Sequence, residues 1–272
     1  MHIVVPIKQV PETSDVHMDP VTGTMIRSGH TAIINPLDLY AIESALKLKD
    51  SIGATVSVLT MGPANAVKVL KEAMAMGCDA AVHLNDRRFA GSDTWSTSYV
   101  LSLAIGNLAP VDLIMTGERA TDGDTGQVTP EIASWLDLPL VSFVSSISAV
   151  QDGFIEGERL IEEGYQRVRC SLPAVVSVVK EIGEPRLPTL RGKKRAMTYD
   201  IPVWTADDLD AENSYLGLKG SPTRVVRIGT PSVIRDATVI QASDEDSLKS
   251  AVSRLLDFLD EKGLLAGGEA HA

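Results

Sequence analysis

With 272 residues, 44% of them hydrophobic, the chain is long enough to bury one fair-sized globular core with an extension beside it. A formal net charge of −11 argues against a nucleic-acid surface, because phosphate binding requires an excess of Lys and Arg on at least one face. The two cysteines, Cys78 and Cys170, lie in apolar or strand-like contexts without metal-ligand spacing, so both read as core residues of a reduced cytoplasmic protein. The apolar run Met1-His2-Ile3-Val4-Val5-Pro6 is too short for a signal peptide, and nothing later approaches the ~20 apolar residues of a membrane span.

In chain order, Ile3 to Ile7 reads as a short buried strand, and Pro6-Ile7-Lys8-Gln9-Val10-Pro11 turns out of it. Lys8 at the strand end is either a solvated lysine, the commoner case, or a contact to a nucleotide or flavin. Between residues 12 and 34, Asp19-Pro20 and Thr22-Gly23 mark a hairpin-like excursion. In Asn35-Pro36-Leu37-Asp38 the asparagine can cap a helix and the proline can take its first position, with Leu39, Ile42, Ala45 and Leu46 following at helical spacing. A second strand spans Val56 to Leu59, and Thr60-Met61-Gly62-Pro63 turns into a helix with Val67, Leu70, Ala73 and Met74 inward; Gly62 lets backbone pass close to a ligand. Ala80 to Leu84 is a third strand. Beyond it, Phe89-Ala90-Gly91-Ser92-Asp93-Thr94 starts another helix, capped by Ser92 or Asp93, with Tyr99, Val100, Leu103 and Ala104 behind it.

The apolar run Leu113-Ile114-Met115 is followed by the stretch around which the chain is organised, Arg119-Ala120-Thr121-Asp122-Gly123-Asp124-Thr125-Gly126-Gln127-Val128-Thr129-Pro130. Strand, small-residue loop, helix is the order that gathers backbone N–H groups and a helix N-terminus around an anion. Val128, Ile132 and Trp135 recur at helical spacing, so one stripe faces a core. Either Asp124 or Thr125 caps this helix, or Thr129 does with Pro130 at the first position. The alternation of strands and helices predicts an α/β fold, a mostly parallel sheet sandwiched by helices. No Gly-x-Gly-x-x-Gly follows the first strand, so the Rossmann fingerprint is missing.

Residues 139 to 180 read as short strands joined by turns at Asp152-Gly153 and Glu163-Gly164, ending in the apolar run from Ala174 to Val179; these are expected as antiparallel additions to the sheet. From Glu184 to Arg195 the chain carries five cations among twelve residues, which on charge alone is a solvated basic loop. Hydrophobicity thins after Trp204 until Val225-Val226-Arg227-Ile228. The sequence then closes on an amphipathic helix with Leu248, Val252, Leu255, Leu256 and Leu259 on one stripe, before a tail, Gly267-Gly268-Glu269-Ala270, expected to be disordered. No metal-ligand cluster, Gly-x-Ser-x-Gly elbow, phosphate-loop lysine motif or Cys-His nucleophile is visible.

The string from Arg119 to Pro130 resembles the adenine-nucleotide loop of the β subunit of electron transfer flavoproteins, and the likeness runs along nearly the whole chain. The resemblance implies a fold related to the adenine-nucleotide hydrolases and a heterodimer with an α subunit that carries FAD. It also implies a β-subunit pocket for AMP in the housekeeping branch, or for a second FAD in the electron-bifurcating branch. Housekeeping members tend to carry an aspartate where Gly123 stands and an asparagine where Gly126 stands. Bifurcating members resemble Asp-Gly-Asp-Thr-Ala-Gln-Val-Gly-Pro, which this chain follows except at Gly126 and at Thr129, where a glycine is replaced.

The implied nucleotide contacts are Pro6, Asn35, Asp38, Met61, Gly62 and residues 119 to 130. Phe89, Gly91, Ser92, Asp93 and Thr94 resemble the neighbourhood that bifurcating members use near the NADH site. Residues 184 to 197 correspond to the family's recognition loop, with Leu190 the expected anchor and Arg191, Lys193, Lys194 and Arg195 steering an acyl-CoA or other flavoprotein dehydrogenase. Domains are expected at 1 to 204, for the flavin-binding body, and at 205 to 272, for an arm that wraps the α subunit. At an effective dielectric near 20, a like-charge contact at ~4 Å costs about 4 kcal/mol before screening, so glycine at 123 favours FAD over AMP beside a pyrophosphate. The expected activity is therefore that of an electron-carrier subunit, oxidising NADH in the bifurcating case with ferredoxin as low-potential acceptor. The alternatives are a housekeeping subunit with AMP, and a non-redox adenine-nucleotide-binding protein.

Overall fold

The computed structural model describes residues 1–12, 32–226 and 237–265. The expected excursion at Asp19-Pro20 and Thr22-Gly23, the residues Arg227-Ile228 and the Gly267–Ala270 tail lie outside them. The chain divides into two compact units, Met1–Ile228 and Gly229–Ala272.

In the first unit β1 (His2–Pro6) is followed by two short strands, β2 (Gln9–Pro11) and β3 (Ala32–Ile34), which pair antiparallel with each other. Helix α1 (Pro36–Ile52) buries Ile42, Ala45 and Leu46 on one stripe and stops at Gly53, whose left-handed φ of 72° lets its N–H close back on Lys49 O. Next come β4 (Thr55–Met61), α2 (Val67–Met76), β5 (Ala80–Leu84), α3 (Thr94–Asn107), β6 (Leu113–Gly117) and α4 (Val128–Leu136). After them run β7 (Leu140–Gln151), β8 (Phe154–Ile161), β9 (Gly164–Ser171) and β10 (Ala174–Val178). The unit closes with α5 (Leu190–Thr198), β11 (Val203–Trp204) and the single turn α6 (Gly217–Gly220).

Nine strands form one sheet in the order β11-β5-β4-β1-β6-β10-β7-β8-β9. All neighbours from β11 to β7 are parallel, and only the β7-β8 and β8-β9 pairs are antiparallel. The expectation of antiparallel additions therefore holds for β8 and β9 and fails for β10, which lies between β6 and β7 and parallel to both. All five of its residues are buried, the hallmark of a strand covered on both faces, and such strands belong inside a parallel sheet rather than at its rim. Phe143 marks where β7 changes role: with φ of 61° in a bulged register it donates its N–H to Ser177 Oγ, and the strand leaves β10 for the hairpin with β8.

The central strands alternate between two cores. Ile3 and Val5 pack with α1 and α2 on one face, while Val4 packs with α3 and α4 on the other, which is the doubly wound arrangement of helices over a parallel sheet. Ala206, Leu209 and Leu216 belong to the second of these cores. The body thus runs past the boundary expected at residue 204, because three well-placed apolar residues suffice to tie down a segment of low overall hydrophobicity. Cys78 is buried as expected, but Cys170 on β9 is only half-buried. In the second unit, α7 (Glu245–Glu261) starts at an Asp244/Ser247 capping box, and within that unit Leu248, Val252, Leu255 and Leu256 are exposed.

Candidate functional site

From β1 the chain winds outward through β4 to β5, then crosses through α3 to β6 on the other side of β1. The strand order therefore reverses between β1 and β6, and a crevice outside the carboxyl ends of strands at such a switch point is where open α/β sheets bind ligands. Here the exit of β1 (Pro6 to Lys8), the start of α1 and the loop after β6 converge, with Met61 and Gly62 at the end of neighbouring β4.

Asn35 is 0% exposed and makes no capping hydrogen bond to α1, contrary to expectation. Its Nδ2 donates to Asp38 Oδ1 at 2.9 Å and to Arg119 O at 2.9 Å, and its Oδ1 accepts the Thr121 N–H at 3.1 Å. The side chain is spent on joining two loops that are 84 residues apart in sequence. Asp38 Oδ2 accepts the Lys8 N–H at 2.7 Å, bringing in the exit of β1. These two residues, expected as nucleotide contacts, turn inward and brace the crevice. Gly117 ends β6 directly against them: a Cβ there would lie 2.6 Å from Asp38 Oδ1 and 2.7 Å from Leu37 C.

Burial pushes the Asp38 carboxyl up to about 7, against the opposing donors Asn35 and Lys8 N–H. A carboxyl whose folded pKa lies above its unfolded value near 3.8 contributes stability that is fully present below that value and lost as pH rises through 7. The stability of the protein relative to an Asp38→Asn variant is accordingly expected to fall by about 2 kcal/mol between pH 5 and pH 8. Denaturant melts at both pH values check this, and a difference that does not change with pH would contradict it.

The loop between these braces and α4 carries two ion pairs, Lys8 Nζ to Asp122 Oδ1 at 2.6 Å and Arg119 Nε to Asp124 Oδ1 at 2.8 Å. Asp124, with φ of 53°, returns its N–H to Ala120 O at 2.8 Å, and Gly126 takes a left-handed φ of 63°. Gly123 does not lie in the left-handed region, and a Cβ there would meet nothing within 4 Å. Helix α4 begins at Val128 after Gln127, which makes no side-chain cap. Neither Asp124, Thr125 nor Thr129 caps it. Asp124 is held in its own turn, and Thr129 faces the sheet, buried, with its hydroxyl 2.6 Å from that of Thr116. Pro130 then falls at the third helical position, where no intrahelical N–H bond is lost.

Gly62 O accepts bonds from Asn85 Nδ2 at 2.9 Å and from the His83 ring at 3.1 Å, two partners that the sequence did not single out. Of the five residues expected near NADH, Thr94 alone reaches the loop, donating to Glu131 Oε1 at 2.9 Å and lying 3.3 Å from Gln127 Oε1. Phe89 is buried, Gly91 packs on Leu218, and the Ser92 hydroxyl donates to Phe89 O. Asp93 caps α3 through Ser96 N–H and accepts the Thr223 N–H and hydroxyl, each at 2.8 Å. Glu131 was also missed in the sequence; burial raises its pKa, and its Oε2 is buried without a hydrogen-bond partner. Below it Trp95, Tyr99, Trp135 and Tyr215 form one aromatic cluster with centroids 4.5 to 5.8 Å apart.

The segment expected as a recognition loop forms helix α5, capped by Thr189, whose side chain accepts the Gly192 N–H. Leu190 is 87% exposed, joined by Leu187 at 85% and Met197 at 77%, and Arg191, Lys193 and Lys194 are exposed. Arg195 is exposed as well, and its Nη2 donates to Met74 O at 2.8 Å and Cys78 O at 2.6 Å at the end of α2.

Residues 22–209 match the family model of the electron transfer flavoprotein domain. The electron transfer flavoprotein subunit beta of Thermoanaerobacterium thermosaccharolyticum is 42% identical over 256 residues, covering 94% of this chain and 98% of the relative. The chain belongs to the electron transfer flavoprotein β-subunit family. This β subunit is also 39% identical to the caffeyl-CoA reductase-Etf complex subunit CarD of Acetobacterium woodii, over 97% of this chain and all of the relative. Protein FixA of Azotobacter vinelandii is 42% identical over 94% of this chain and 93% of its own length. Family membership carries with it flavin or nucleotide binding and pairing with an α subunit and a dehydrogenase as general properties. Among the described residues of this electron transfer flavoprotein subunit, no helix is long and apolar enough to cross a membrane, and no group of three or more His, Cys, Asp or Glu is placed to hold a metal ion.

Proposed function

We propose that the crevice between β1 and β6 holds a second FAD rather than AMP, and that the heterodimer oxidises NADH by electron bifurcation. Gly123 carries this reading. Neither a left-handed backbone nor local packing requires glycine there, so the missing side chain leaves room toward solvent that a flavin ring can use. The carboxylates on either side are neutralised within the protein, Asp122 by Lys8 and Asp124 by Arg119, which removes the repulsion that two free carboxylates would direct at a pyrophosphate. Backbone N–H groups of residues 125 to 127, with those of Val128 and Thr129 at the start of α4, supply the anion-binding surface. Asn35 and Asp38 hold that surface in register from behind. The chemistry that a bound FAD supplies is hydride acceptance from NADH and one-electron release, toward the α-subunit FAD and a flavoprotein dehydrogenase on one side and toward a low-potential acceptor such as ferredoxin on the other.

Introducing a side chain and charge with Gly123→Asp tests this directly. The variant heterodimer is expected to lose its second FAD, keep the α-subunit FAD and no longer bleach with NADH; two FAD retained would remove the argument from Gly123. The housekeeping reading with AMP has one observation in its favour: Phe89, Gly91, Ser92 and Asp93 are engaged by one another and by residues 217 to 223, leaving Thr94 as the expected NADH-site residue that reaches the loop.

The relative CarD is named as part of a complex with a CoA-thioester reductase, which supports a CoA-ester dehydrogenase or reductase as partner here. Leu190, Leu187 and Met197 with Arg191, Lys193 and Lys194 form the surface for it, and the exposed stripe of α7 is the surface for the α subunit. Two free cysteines, one buried and one half-buried, fit a reducing cytoplasm.

A further inference from the structure

The chain from Arg186 to Met197 inverts the usual placement of side chains. Three apolar residues, Leu187, Leu190 and Met197, point to solvent, while the guanidinium groups of Arg186 and Arg195 near its two ends are hydrogen-bonded to α1 and to the end of α2. Arg186 closes a fork on Glu43 of α1: its Nε and backbone N–H donate to Oε2 at 2.7 and 3.0 Å, and its Nη2 donates to Oε1 at 3.0 Å and to Asp50 Oδ2 at 2.8 Å. Glu43 is only 5% exposed, and a desolvated carboxylate of this kind depends on its bidentate partner. Downstream the Thr189 N–H bonds to Ala75 O, Ala196 is buried, and Gly192 sits where any Cβ would collide with Ala75 O. Arg195 then bonds the carbonyls of Met74 and Cys78. The segment is fixed to α1 at its start and to α2 along its length.

We propose that Arg186 is a positioning residue for docking. Its fork onto Glu43 and Asp50 presents Leu187, Leu190 and Met197, ringed by Arg191, Lys193 and Lys194, as a preformed surface for an acidic flavoprotein with an apolar socket. This rests on the docking role assigned above to Leu190. A surface ordered before the encounter does not lose conformational freedom on binding, whereas a free cationic loop would. Arg186 is about a third exposed and its charge is matched by Glu43 and Asp50, so a replacement that keeps the charge but loses the fork weakens docking equally at every salt concentration. Replacing an outward cation changes the salt slope instead.

The test uses the holo heterodimer as electron acceptor for an acyl-CoA dehydrogenase reduced with its acyl-CoA. Arg186→Ala is expected to raise the KM for the heterodimer about tenfold, with kcat and flavin content unchanged, and the charge-conserving Arg186→Lys is expected to leave the salt slope unchanged. Arg186→Lys keeps the charge and one contact while losing the fork, so a rise of about threefold is expected, and it serves if the alanine variant folds poorly. Leu190→Ala in the same assay separates the two ideas. If Leu190→Ala raises KM and Arg186→Ala and Arg186→Lys do not, the positioning role is wrong and the docking surface stands. If Leu190→Ala leaves KM unchanged, the docking assignment falls, and the role of Arg186 with it.

Discussion

Replacing Gly117 by alanine is expected to empty the nucleotide crevice and to lower the thermal midpoint by about 10 °C. The added Cβ would lie 2.6 Å from Asp38 Oδ1, 2.7 Å from Leu37 C and 2.8 Å from Leu37 O. Two of these are backbone atoms, which no side-chain rotamer can move aside. Relief requires the start of α1 to retreat from the end of β6, at a cost of about 3 kcal/mol for overpacking of this kind. The same retreat pulls Asn35 off Arg119 O and Thr121 N–H, so the loop loses its brace as the body loses stability. Differential scanning calorimetry and flavin quantification read the two effects. A Gly117→Ala protein that melts like the parent and keeps its full complement of nucleotide would show that the contact between α1 and β6 does not shape the crevice.

Deletion of residues 235 to 272 is expected to abolish co-purification with the α subunit while leaving the body folded. Helix α7 has its own start signal in the Asp244/Ser247 capping box, yet none of its residues is buried. Its stripe of Leu248, Val252, Leu255, Leu256 and Leu259 therefore represents burial still to be gained, worth about 1.5 kcal/mol or more for each side chain placed in an apolar environment. Losing several of these at once exceeds what the rest of a heterodimer interface can replace. The point variants Leu255→Glu and Leu256→Glu should act in the same direction by placing a charge on that stripe. Stoichiometric recovery of the α subunit with the truncated chain would refute the role given to the arm.

The parts of this account that came directly from the sequence are those set by local pattern. Ile3-Val4-Val5 and Leu113-Ile114-Met115 are continuous apolar runs because both faces of their strands are covered, and such runs declare themselves without further context. Asp93, one of the two residues read as a cap for α3, makes that bond three residues away. The failures arise where a side chain has a distant use. Asn35 has every local feature of a cap, but the loop after β6 takes its side chain. Thr129 could be read as the cap of α4, whereas its hydroxyl is matched to Thr116. Arg186 and Arg195 could not be told from Arg191 in a run of cations, because the carboxylate and carbonyls that bond them belong to α1 and to the end of α2 and the turn after it. Strand β10 reads as a strand, but its place between β6 and β7 follows from the turn of β7 at Phe143, which no periodicity announces.

The two carboxylates of the nucleotide loop are offset by Lys8 and Arg119. On the proposed reading, Gly123 then favours FAD over AMP by space rather than by charge. Quantifying FAD and AMP released from the purified heterodimer tests this most directly. Two FAD and no AMP per heterodimer, with NADH bleaching the flavin, is the predicted result; one FAD and one AMP, with NADH inert, would contradict it.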